Sequence, residues 1–173
     1  MSRLQDLTSA PARDLLGNMN LSKAVLAIAT SGKAKVKTTN ALVYTVGGVQ
    51  YTASALSEQV LTNVYTRDGK VSGGAYVQPV NTTVFYTLSI NAAGTVAVTQ
   101  GTYAGQVLTD PSRNGVSTGG DGLVPNAPAG YTPFGVIKVA TAVAATFTVG
   151  TTALDATNVT STFYDVAVLP GTL

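Results

Sequence analysis

The sequence predicts a mainly β protein. The expected body is an antiparallel sandwich, jelly-roll-like or barrel, preceded by a short N-terminal arm with at most a short helix. Three observations carry this. From Phe134 to Leu173, apolar and β-branched residues alternate with Thr and Ser, interrupted at Gly150 and at Asp155–Asn158, the pattern of short strands joined by turns. Gly47-Gly48 separates two alternating runs, the signature of a two-residue hairpin whose turn needs positive φ. Third, only 10% of residues are charged, against about 25% in ordinary soluble domains. Thr, Val, Ala and Gly fill the gap. The depletion points to burial in an assembly, with a small secreted β-domain as the other reading.

Residues 1–33 read as the arm and 34–173 as the body. In the arm, Ser9 caps a short helix with Pro11 near its first turn and Asp14 at its positive end. Leu15 and Leu16 form its apolar anchor, and Gly17-Asn18 stops it. So short a helix does not hold alone in water. Residues 21–30, LSKAVLAIAT, fit helical and alternating patterns alike, with a lean to extended chain.

The body opens with Lys35–Thr38, followed by Ala41–Val46, the Gly47-Gly48 turn and Val49–Thr52. Asp68-Gly69 marks a further turn. Residues 75–80 read as an edge strand, because Pro79 donates nothing to a ladder. Residues 82–90 form a strand with Val84, Tyr86, Leu88 and Ile90 on one face and Phe85 on the other. Asn91–Gly94 turns the chain, and 95–100 return antiparallel.

Residues 105–133 hold six Gly and four Pro and read as a long loop, either simply exposed or crossing to a neighbouring subunit. Three strands close the chain: 136–139, 146–149 and 159–168, the last broken or bulged at Thr162–Asp165.

Composition excludes much chemistry. With no Cys and no His, there are no disulfides, thiolate nucleophiles or Ser-His-Asp arrangements. Ser22-Lys23 and Ser31-Gly32-Lys33 lie in the arm, a poor place for a preorganised Ser-Lys site. Of the eight acids, Asp68, Asp121 and Asp155 fall in turn-like sequences, where Asp bonds its own backbone. Asp165, inside a strand, reads as an edge guard. Neither catalytic residues, metal ligands nor cofactors are expected. Tyr44, Tyr51 and Tyr86 belong in strands, while Tyr76, Tyr103 and Tyr131 suit an interface.

Charge is uneven. Residues 1–37 carry six basic and two acidic side chains, a net of +4, and the rest a net of −2. A basic front end suits an acidic protein surface. Nucleic acid is disfavoured, since no aromatic residue precedes Tyr44. No apolar run is long enough to span a membrane, and the first residues lack a signal-peptide pattern. Synthesis and use inside one cell are expected.

The order of the phrases ALVYTVGGVQYT, NTTVFYTLSINAAGTVAVTQG, GYTPFGVIKVATA and TFTVGTTALDATNVTSTFYDVAVLPG resembles that of small structural proteins of tailed bacteriophages, over residues 34–170. The resemblance implies a β-rich body, a homotrimer and no enzymatic role. It points to a capsid decoration (cement) protein on the virion, with the major capsid protein as partner. A head-fibre or tail receptor-binding module is the alternative, and a small carbohydrate-active domain a more distant one. Charge and composition, not the resemblance, nominate Arg3, Arg13, Leu15, Leu16, Lys33, Lys35 and Lys37 as capsid contacts.

Overall fold

A computed structural model describes residues 17–65, 77–101 and 124–167. Its strands are β1 (Leu26–Ile28), β2 (Val36–Thr38), β3 (Leu42–Val46), β4 (Val49–Ala53), β5 (Val64–Tyr65) and β6 (Val77–Gln78). There follow β7 (Thr83–Asn91), β8 (Val96–Gln100), β9 (Tyr131–Thr141), β10 (Phe147–Thr148) and β11 (Val159–Asp165). The described residues include no helix, and hence none long and apolar enough to cross a membrane.

Five strands form the main sheet, in the order β11-β9-β7-β8-β5. Its neighbours are antiparallel except β5 and β8, which run parallel. The sheet does not close on itself, so the body is sandwich-like rather than a barrel. Alternation along β7 buries Val84, Tyr86, Leu88 and Ile90 on one face, as the period of two requires. Val96 and Val98 of β8, with Ile137 and Val139 of β9, continue that face.

Three two-stranded ribbons supply the second layer: β1–β2, β3–β4 and β6–β10. Leu26, Val36, Leu42, Tyr44 and Phe147 carry their apolar side chains into the same core. Phe147 meets Tyr86 edge to face at 5.7 Å, the geometry that aromatic quadrupoles favour. Beside them Gln78 is fully buried and fully satisfied. Its amide donates to the carbonyls of Thr82 and Val139, each at 3.0 Å, and its oxygen accepts from the Tyr86 hydroxyl at 3.2 Å.

The Gly47-Gly48 hairpin forms as expected. Val46 pairs with Val49, and the two glycines take φ of +56° and +76°. Residues 21–30 contain strand: β1 pairs with β2, from Leu26 opposite Thr38 to Ile28 opposite Val36. Gly94 closes the β7–β8 turn at φ +78°, and Asn91 Oδ1 accepts from the Ala93 and Thr95 amides there.

Three features differ from the sequence reading. The second half of the expected arm, from Gly17 on, is woven into the body. Buried Asn20 donates to the Val166 carbonyl at 2.6 Å, and Ala24, Leu26 and Ala29 are buried. Small and apolar residues at those spacings fill core positions, which charge and composition did not reveal.

Secondly, the bulge expected in β11 is absent; β11 pairs residue for residue with β9, from Val159 opposite Thr141 to Asp165 opposite Gly135. The irregularity lies between β9 and β7, where Leu88 faces Gly135 and Ser89 faces Pro133, leaving Phe134 as the extra residue. A bulge there accommodates a proline that has no amide to donate. Thirdly, β9 begins at Tyr131, inside the stretch read as loop. The earlier part of that loop, and the Asp68-Gly69 turn, lie outside the described residues.

Candidate interaction surface

The nominated lysines converge on the β1–β2 connection. Gly32 sits in its turn, where the Lys35 amide donates to the Gly32 carbonyl at 2.8 Å. Alternation sends Val36 and Thr38 into the core and leaves Lys37 half-exposed between them. Each lysine is engaged within the chain. Lys33 Nζ lies 3.0 Å from Asp155 Oδ2, with the two side chains 55% and 43% exposed. Lys35 Nζ lies 3.8 Å from Glu58 Oε2, and Lys37 Nζ donates to Thr30 Oγ1 at 3.0 Å. Ion pairs this exposed contribute about 0–1 kcal/mol, so a partner's carboxylates compete for these lysines at little cost. The two acids do, however, offset much of the positive field that the sequence suggested.

Glu58 has a structural task as well. It accepts from the Ser31 amide at 3.0 Å. That bond holds its carboxyl below the ordinary range against an opposing desolvation, and Lys35 and Lys37 add to the lowering. The paired main chains of Val36 and Gln59, at 3.1 and 2.8 Å, fix the same corner. Asp165 likewise belongs to the framework, accepting from the Leu26 amide at 3.0 Å. Arg3, Arg13, Leu15 and Leu16 lie outside the described residues.

Of the tyrosines, Tyr44 and Tyr51 stack at 5.9 Å across the hairpin. Burial and the neighbouring Tyr51 raise the Tyr44 pKa. Tyr131, read from sequence as suited to an interface, opens β9 and meets Tyr65 edge-on at 5.9 Å. Tyr164 on β11 is 47% exposed.

One surface was not singled out from sequence: the outer edge of β4. The Leu21 amide donates to the Val43 carbonyl at 2.7 Å, and the Thr45 amide to the Met19 carbonyl at 2.8 Å. Val43 and Thr45 thus turn their backbones away from β4. Leu42, Tyr44 and Val46 turn theirs toward it, opposite Ala53, Tyr51 and Val49. Strand geometry then sends the Gln50 and Thr52 main chains outward, and among the described residues no hydrogen bond reaches them. The signal was present in the hairpin register together with an uncharged run from Thr38 to Ser57.

Chemistry is sparse elsewhere. Among the described residues, no group of three His, Cys, Asp or Glu side chains is placed to hold a metal ion. The depressions lined by Ala140–Ala142 with Asn158–Thr160, and by residues 53–59, are open and shallow. No family model, curated protein or solved structure matches this chain.

Proposed function

We propose that the chain is a non-enzymatic structural protein of a tailed-bacteriophage virion, a capsid decoration (cement) protein that bridges subunits of the major capsid protein. The observation that carries this reading is a charge-poor, all-β body. Its described ionisable acids and bases are Lys23, Lys33, Lys35, Lys37, Lys138, Glu58, Asp155 and Asp165. Such a surface is poorly suited to a life as a free monomer and well suited to being covered in an assembly. The order of its strand phrases resembles that of such virion proteins.

Energetically the role is simple. A rigid body that binds only the assembled shell stabilises that shell by mass action. Many identical modest contacts suffice, because multivalency multiplies them. The arm supplies a second contact and recovers its ordering entropy only on the capsid. The protein works as a homotrimer on the capsid surface, after synthesis in the host cytoplasm, and uses no cofactor, nucleic acid or membrane.

The test is binding to purified shells. Saturable binding to assembled shells, with none to unassembled capsid protein, is the expected result. Equal binding to both, or binding to host-surface glycan instead, would overturn it.

A further inference from the structure

We infer that β4 is a docking edge for a second copy of this chain, the two β4 strands pairing antiparallel across a two-fold axis at Tyr51. The inference is independent of the capsid reading, and a two-fold contact of this kind joins chains of two different trimers, not chains within one. Exposed strand edges are templates for another strand, and proteins normally guard them with Lys, Pro or a bulge. β4 has none of these: it reads VQYTA and pairs with β3 without irregularity. Val49 at its start is 45% exposed, and Gln50 and Thr52 are exposed too.

The choice of a second copy follows from the geometry. Only Gln50 and Thr52 direct their main chains outward. A two-fold axis at Tyr51 sets Gln50 opposite Thr52 of the second copy, and Thr52 opposite its Gln50. Both are pairs in which each residue donates and accepts, so all four outward groups of each strand are satisfied in one register. Shifting the register by one residue would oppose outward-facing groups to inward-facing ones. The strand carries no charge, so a copy of itself brings no repulsion. The two hairpins then form one four-stranded sheet with Tyr51 beside its symmetry mate. The contact is isologous and closes on itself.

Cysteine cross-linking reads this register directly, because the chain has no Cys. Tyr51→Cys places the thiol on the axis, opposite its own mate. Gln50→Cys is the more exposed site, but its mate lies diagonally at about 7–8 Å, beyond easy disulfide reach. Under mild oxidation Tyr51→Cys should give a two-chain species far faster than Gln50→Cys, whatever the overall assembly. Random collision would favour the exposed Cys at position 50, and that result overturns the proposal.

A second variant leaves the tyrosine stack in place. Thr52→Pro removes an amide that faces away from β3, so the hairpin's own ladder keeps its bonds. It should retain the native circular dichroism and weaken self-association by about tenfold, the loss of two hydrogen bonds. Unchanged association in Thr52→Pro, or a wild-type protein that sediments as a monomer at every concentration, also overturns it.

Discussion

Gly150 and Gly94 offer a controlled comparison. Both adopt the left-handed region, at φ +76° and +78°. A Cβ on Gly94 would meet nothing within 4 Å, whereas one on Gly150 would stand 2.5 Å from the Leu61 carbonyl oxygen and 3.1 Å from its carbon. Leu61 is buried in the core, so its backbone cannot retreat freely. Gly94→Ala should therefore cost only the left-handed term, about 1–2 kcal/mol. Gly150→Ala carries the same term plus an overpacking cost of about 1–3 kcal/mol, giving about 2–5 kcal/mol in total. The shared φ cancels, and the difference isolates the close approach of two backbones. Urea unfolding monitored by circular dichroism should show both midpoints falling, Gly150→Ala further, with unchanged slopes. In a chain of this length each kcal/mol lowers Tm by about 2–4 °C. Equal losses for the two variants would refute the reasoning, because the turn after β10 would not then press on the Leu61 backbone.

Other outcomes follow from the same contacts. Gln78→Leu should destabilise by about 1–3 kcal/mol, since it strips the buried Thr82 and Val139 carbonyls of donors; chemical denaturation checks it. Glu58 has a depressed carboxyl pKa in the folded state. Its contribution is therefore present above the unfolded value, near 4.5, and is lost as pH falls through the lower folded value. Glu58→Gln should lower Tm at neutral pH and converge on wild type in acid; a gap that persists in acid would contradict this. Deleting residues 2–16 should leave the body folded but sharply reduce occupancy on shells, most visibly in high salt. The deletion stops there because the Gly17 carbonyl accepts from the Gly48 amide and Asn18 Oδ1 from the Gly47 amide. Undiminished occupancy at all salt concentrations would move the anchor to the body.

The elements legible in the sequence were those with local causes. Gly47-Gly48 fixed a turn and a register, and the period of two in β7 identified its buried face. What stayed hidden depended on partners distant in the chain. The β5–β8 pairing is parallel and only two residues long, too short for periodicity to signal. Pro133 looked like loop, yet a bulge at Phe134 lets it sit in a strand. Lys33 and Lys35 looked free because Asp155 and Glu58 approach them only through tertiary structure. Asp165, read as an edge guard, caps the Leu26 amide from across the sandwich. The free edge of β4 became visible only when residues 19–21 were found along the far side of β3.

The proposed role is tested most directly by electron microscopy of particles that carry this protein, with and without a bulky tag on it. The account predicts tag density on the icosahedral shell, at the seams between capsomers. Tag density at the tail tip, or projecting from the vertices alone, would contradict it and point to a receptor-binding or fibre module.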